Sequence, residues 1–138
     1  MTDAGVGRLS TLKPVRHPRF WLGAWWLAIG VVTIVCLLPA SDLPKVPLLN
    51  DKLEHALAYF LLAASAVQLF ATRRTLWRVA TGLLLLGIAI EIAQGSFTSS
   101  RAMEGADVLA DLSGIIIGMA TLWTPLRDLL LRIDGRRD

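Results

Sequence analysis

Residues 20–38 read FWLGAWWLAIGVVTIVCLL, an unbroken run without a charge that Pro39 closes. As an α-helix rising 1.5 Å per residue, this run reaches roughly 28 Å, close to the hydrocarbon thickness of a bilayer. Three further segments repeat the theme. Residues 53–71 begin wet, with Glu54 and His55, and turn apolar through LLAASAVQLFA. Residues 76–95 carry GLLLLGIAI at their centre and Glu91 near their end, and residues 107–126 have LSGIIIGMATLW as their body. A soluble chain of 138 residues has too little interior to hide an apolar share of 54%, above the roughly 45–50% of ordinary globular domains. The mean hydropathy of +0.57 points the same way. The expected fold is an all-α membrane protein with four transmembrane helices, at about 20–38, 53–71, 76–95 and 107–126, and the lipid bilayer as its solvent. A secretory signal is the rival reading of the first segment, because basic residues precede it. The run is longer than the usual apolar core of such signals, and Leu37-Leu38-Pro39 lacks a small-x-small cleavage pattern.

The basic residues set a direction. Of the 14 Lys and Arg, eleven fall before the first segment, between the second and third, or after the fourth. Only Lys45, Lys52 and Arg101 fall in the other two loops. By the positive-inside rule both termini are cytoplasmic and two loops extracytoplasmic, as in a multi-pass protein of the bacterial cytoplasmic (inner) membrane. Residues 1–19 then form a basic cytoplasmic arm, expected to be mobile near an anionic leaflet. Residues 127–138 form an amphipathic basic tail. Its LRDLLLRI stretch sets leucines against arginines and is expected to continue helix four along the interface. Trp21, Trp77 and Trp123 fit the inner aromatic belt, whereas Trp25 and Trp26 lie a turn deeper. The net charge of +3 is split among separate groups, so no nucleic-acid partner is expected. The single cysteine, Cys36, allows neither a disulfide nor a CxxC pair and reads as a small hydrophobe. The outer loop 39–50, with three prolines, reads as extended.

Polar side chains gather at one end of these segments. Ionisable groups near lipid are expensive, and where they persist they usually face a bundle interior or an aqueous cavity and mark function. Asp51, His55 and Tyr59 are spaced i, i+4, i+8 and share a helix face; Glu91 and Gln94 are i, i+3, and Asp107 and Asp111 are i, i+4. His55, Glu91 and Asp111 are therefore expected at one depth, facing each other. Simpler roles exist for each. Asp51 and Asp107 suit helix N-termini, Lys52 and Arg101 suit acids or lipid head groups, and the remainder suit an interhelical network. Gly114 and Gly118 form a small-xxx-small face for close packing, within the chain or between copies in a homo-oligomer. One imidazole is fewer than zinc usually takes, although an oxygen-rich Mg²⁺ or Ca²⁺ site is conceivable; no metal and no cofactor is assigned. Ser96, Ser99 and Ser100 come without a nucleophile elbow or an SxxK pattern. If chemistry occurs, His55 is the candidate acid or base, oriented by Glu91 or Asp111.

In order, Asp51-Lys52-x-x-His55-x-x-x-Tyr59, Glu91-x-x-Gln94, Arg101, Asp107 and Gly114-x-x-x-Gly118 resemble the VanZ family of small bacterial membrane proteins. The resemblance covers roughly residues 50–120 and the span before them. Asp111 stands where that family typically has Asn, and the Arg101-Ala-Met-Glu-Gly stretch differs from its shorter apolar linker. The resemblance implies a cell-envelope location and, from the protein that names the family, a link to teicoplanin-type antibiotic resistance. It implies no reaction.

Three functions follow as expectations. The first is an outward-facing polar pocket that binds a cell-envelope lipid, a cell-wall precursor or a glycopeptide-type antibiotic, through Asp51, Lys52, His55, Tyr59, Glu91, Gln94, Arg101, Asp107 and Asp111. The second is an intramembrane enzyme acting on a lipid head group, with His55 as acid or base. The third is a structural or scaffold protein without a ligand. The outer half carries seven acids against three bases, a net of −4, and the inner half eleven bases against four acids, a net of +7. An acidic outer face favours a cation or a positively charged amphiphile over a simple phosphate.

Overall fold

The computed structural model describes residues 11–38, 42, 50–97 and 104–135. It is all-helical: α1 Pro18–Leu37, α2 Asp51–Leu69, α3 Arg73–Phe97, α4 Gly105–Ala120 and the short α5 Leu129–Asp134, with 3₁₀ turns at Thr121–Trp123 and Pro125–Asp128. Among the described residues, β pairing is limited to two isolated bridges. Three helical stretches are long and apolar enough to cross a membrane: Pro18–Leu37, Arg73–Ser96 and Gly105–Trp123. The 19-residue α2 packs among them. Its first turns hold Asp51, Lys52, Glu54 and His55, and it is not among the stretches apolar enough to cross.

Local chemistry sets the ends. Pro18 opens α1, where its missing N–H is no loss. Asn50 caps α2, its side chain accepting from Leu53 N at 2.8 Å. Thr72 precedes α3, and its hydroxyl accepts from Thr75 N at 3.3 Å. The outer loop 39–50 lies outside the described residues apart from Asp42 and Asn50.

The most extensive interface is between α2 and α4, and glycines permit it. A Cβ on Gly118 would stand 2.6 Å from Ala63 Cβ and 2.7 Å from the Phe60 carbonyl oxygen. One on Gly114 would collide with the Ala56 carbonyl and stand 2.9 Å from Phe60 N. Both glycines are buried against α2 of the same chain. Of the two roles foreseen for this stripe, packing within the chain is therefore occupied.

Polarity is inverted relative to a protein in water. Large apolar side chains such as Leu27, Ile34, Leu85, Ile116 and Ile117 are exposed, whereas His55, Glu91, Gln94, Asp107 and Asp111 are buried. A soluble domain rarely shows so much apolar surface. Helices long and apolar enough to cross a membrane are compatible with such a surface.

The end of the bundle opposite the polar cluster differs, over the described residues 11–17 and 121–135, from the expectation of a mobile arm and a tail continuing helix four. Residues 11–17 are stitched down: Lys13 N donates to the Leu69 carbonyl at 2.8 Å, Ala71 N to Thr11 O at 2.9 Å and Arg16 N to Asp134 O at 2.6 Å. Val15 is almost fully buried. Helix four stops because Thr124 adopts an extended ψ of 162° before Pro125, which cannot supply the next N–H. The tail then folds back onto α2. Gln68 holds it there, donating from Nε2 to Leu126 O at 2.8 Å and accepting from Leu130 N at 3.0 Å. Lys13 Nζ donates to the Arg127 carbonyl and, at 2.9 Å, to Asp128. Trp21 Nε1 donates to Asp134 at 2.7 Å. Hydrogen bonds to Lys13 and then Arg127 hold the Asp128 carboxyl below the usual range, and the Trp21 indole and His17 do so for Asp134.

Between the two ends lies an apolar middle. Trp25, Ala66, Val67, Leu69 and Leu76 form the layer away from the polar cluster, and Tyr59, Leu62, Ala63, Leu83 and Ile115 the layer next to it. Trp25, buried as a partner for α2, donates from Nε1 to Leu62 O at 3.0 Å and meets Phe70 edge-on. Trp26, Trp77 and Trp123 are exposed.

Candidate functional site

The helical spacing of α2 puts Asp51, His55 and Tyr59 on one face, and that face meets α4. His55 Nδ1 lies 2.9 Å from Asp111 Oδ1, with both side chains buried. With Asp111 ionised, Nδ1 carries the hydrogen, and in the neutral imidazole Nε2 keeps a lone pair. Ligand atoms of Asp51, His55 and Asp107 all lie within 4.8 Å of one another. Asp51 is solvent-exposed, while His55 and Asp107 are buried.

Glu91, on α3, is completely buried, and its Oε2 accepts from the Glu104 backbone N at 3.3 Å. Asp107, His55 and Asp111 all exert electrostatic influence on it. Among the described residues, its Oε1 and the buried hydroxyl of Tyr59 have no hydrogen-bond partner. A buried polar group left in that state costs about 1–3 kcal/mol. Gly87 makes the crowding possible. A Cβ there would lie 2.6 Å from Asp111 Oδ2 and 3.3 Å from Tyr59 Oη, so those two oxygens border the same bare stretch of α3 backbone.

At the rim, Lys52 Nζ donates to Glu104 at 2.7 Å and to Asp107 at 3.3 Å. The Lys52 hydrogen bond keeps the Glu104 carboxyl below its ordinary range, and Glu104 then Asp107 raise the Lys52 ammonium above its own. Gln94 turns toward α1, donating from Nε2 to the Cys36 carbonyl at 2.5 Å.

A cleft of about 150 Å³ opens beside this cluster between α1 and α2. Val31, Val32, Val35 and Cys36 form one wall, and Asp51, Glu54, His55 and Ala58 the other. Cys36, expected as a buried hydrophobe, is half-buried on that wall.

His55, Tyr59, Glu91, Asp107 and Asp111 thus converge from three helices, with Lys52 and Asp51 at their rim. Gln94 adjoins the cluster but binds α1. Arg101 lies outside the described residues. Neither Asp51 nor Asp107 is an N-cap residue, although both lie in the first turn of their helices, where the dipole favours an acid. Asn50 caps α2, Glu104 holds the N-cap position of α4 without a side-chain cap bond, and Asp107 sits in the first turn beyond it. Two members of the site escaped sequence reasoning. Gly87 lies four residues before Glu91, hence on its helix face, a signal that was legible. Glu104 lies three before Asp107, but nothing in that spacing predicts a bond from its backbone to α3.

No family model, curated protein or solved structure matches the chain.

Proposed function

We propose that this chain is a VanZ-like integral membrane protein whose polar recess binds the head group of a cell-envelope amphiphile. In this reading α1 to α4 all cross the bacterial cytoplasmic membrane, both termini are cytoplasmic, and the recess faces outward. The separation of eleven basic residues from the end that carries the recess supports that direction. The observation that carries the binding role is the α1–α2 cleft, apolar along Val31, Val32 and Val35 and polar along Asp51, Glu54 and His55. An amphiphile matches such a surface, its chain along the valines and its head against the imidazole and carboxylates. The Asp51 and Glu54 carboxylates on that wall favour a head group rich in hydroxyl or ammonium donors. An envelope lipid, a lipid-linked cell-wall precursor and a glycopeptide-type antibiotic all offer this combination.

A titration of the protein in detergent micelles with teicoplanin and with phosphatidylethanolamine, in EDTA, tests the reading. Val35→Trp fills the cleft from its exposed side, and Lys52→Ala removes the rim cation. Saturable binding that Val35→Trp abolishes is the expected result. Affinity for both compounds that neither substitution alters would refute it.

The His55–Asp111 pair also favours a second reading, an intramembrane enzyme on a lipid head group with His55 as acid or base oriented by Asp111. A folded His55→Asn variant with full cellular activity would eliminate it.

A further inference from the structure

We infer that Asp51, His55 and Asp107 form a binding site for a divalent first-row transition ion at the mouth of the recess. A single imidazole among several carboxylates is by itself little reason to expect one. Geometry changes the weighing. The three donor atoms, from the first turns of α2 and α4, lie within 4.8 Å of one another. Bonds of about 2.0–2.2 Å to a tetrahedral ion separate its donors by about 3.4 Å. The site must therefore contract by about an ångström, and Asp51, exposed and in the first turn of its helix, has room to make that movement.

The orientation of His55 is the stronger argument. Metal-bound histidines generally donate their other ring N–H to a carboxylate, which fixes the tautomer and strengthens the ligand. His55 does this within the protein, with Nδ1 held at 2.9 Å by the buried Asp111, leaving Nε2 as the metal ligand. Asp111 is then a positioning residue. The second, independent observation is Glu91. It is wholly buried in the same electrostatic environment as His55 and Asp107, and its Oε1 has no partner among the described residues. A cation at the site adds a favourable charge to the environment that Glu91 shares with them.

One nitrogen and two carboxylates suit Zn²⁺ or Mn²⁺ better than Ca²⁺, which prefers six to eight oxygens. Lys52 is the resident competitor, but its contact with Asp107 is the looser of its two, at 3.3 Å against 2.7 Å to Glu104. It can keep Glu104 and release Asp107. The ion matters for the function proposed above and rests on that reading only here. It cancels the charge of two acids and presents open coordination positions to head-group oxygens, phosphate included, that the bare carboxylates would repel.

The test uses full-length protein in micelles, stripped with EDTA and dialysed free of chelator. Equilibrium dialysis with Zn²⁺ and elemental analysis gives stoichiometry, and loss of the free Mn²⁺ paramagnetic signal gives affinity. One ion per chain is expected. Asp51→Asn, exposed and harmless to folding, should weaken affinity at least tenfold, and Asp111→Asn should weaken it 10–100-fold while leaving all three ligands in place. Asp128→Asn, at the opposite end, should change nothing. Lys52→Ala should tighten binding. Absence of a stoichiometric ion, or binding that Asp51→Asn and His55→Gln leave intact, overturns the site. Adding short-chain phosphatidic acid with and without Zn²⁺ separates the two ideas. Stoichiometric metal without any zinc-dependent lipid binding keeps the metal site and removes the head-group role. Chelator-resistant amphiphile binding without a stoichiometric metal does the reverse.

Discussion

Gly118→Ala places one methyl group into the tight contact between α2 and α4. Its Cβ would stand 2.6 Å from Ala63 Cβ, 2.7 Å from the Phe60 carbonyl oxygen and 3.0 Å from Ala64 N. Carbon atoms rest at about 3.5–4.0 Å, so α2 and α4 must part by about 1 Å over the turn they share. Two of the three obstacles are backbone, which cannot turn away as a side chain end can. Overpacking of this kind costs about 1–3 kcal/mol, and the helix preference of Ala over Gly returns roughly 0.8–1 kcal/mol. The net expected loss is about 1–2 kcal/mol. Gly82→Ala is the same chemical change on α3, where a Cβ meets nothing within 4 Å. There only the propensity gain acts, so stability rises by about 0.5–1 kcal/mol. At roughly 3–5 °C per kcal/mol for a chain of this size, the two variants should differ in Tm by about 5–15 °C, with opposite signs relative to the parent. Thermal unfolding in micelles, followed by tryptophan fluorescence, reads this directly, because Trp25 is buried against α2. Size-exclusion chromatography should show no change of oligomeric state. Equal midpoints for the two variants, or a Gly118→Ala protein whose only change is in assembly, would refute the packing argument.

Other outcomes follow from the same contacts. Asp111→Ala leaves the buried imidazole of His55 unpaired and should cost about 3 kcal/mol; the double variant with His55→Ala should cost clearly less than the two single losses added, as a double-mutant cycle in micelles would reveal. Trp25→Phe removes the hydrogen bond to Leu62 O, and denaturant unfolding should register about 1 kcal/mol lost with the helices otherwise intact. The Asp128 and Asp134 carboxyls sit below their ordinary values when folded, so the stability they lend is present above the unfolded carboxylate value near 4 and disappears as pH falls through the folded values. Residues 11–17 should therefore stay docked at neutral pH and come loose under strong acid, seen as lost hydrogen-exchange protection at the Lys13 and Arg16 amides. Protection that persists unchanged at pH 2 would contradict this account.

Much of the site was legible along the chain. The i, i+4 spacing of His55 after Asp51, of Tyr59 after His55 and of Asp111 after Asp107 needs only helical geometry, and three helices ending in buried polar groups at one level had to face each other or pay a desolvation penalty in lipid. Arg101 belonged to that reading by its position in the chain, and it falls beyond the described residues. The spacing was silent on pairing. It did not distinguish Asp111 from Glu91 as the partner of His55, nor direct Gln94 to α1, nor give Glu104 a bond to α3 and a hold on Lys52. Each of those depends on the rotation and register of one helix against another, and a period of 3.6 residues leaves both undetermined. At the end opposite the polar cluster a local signal was present: Pro125 marks the stop of helix four. The return of the tail onto Gln68 carries no such mark.

What the amino-acid sequence determined alone was helix formation, helix length and the segregation of charge. Each follows from local facts: backbone groups in lipid must bond within their own helix, and a side chain's place on that helix is fixed by counting. The tertiary structure alone decided which helix Gly114 and Gly118 admit, which carboxylate orients His55, and that an exposed Asp51 comes within reach of a buried Asp107. Those outcomes are contacts between residues some fifty positions apart, selected by how closely glycine lets two backbones approach, and no local rule contains that choice.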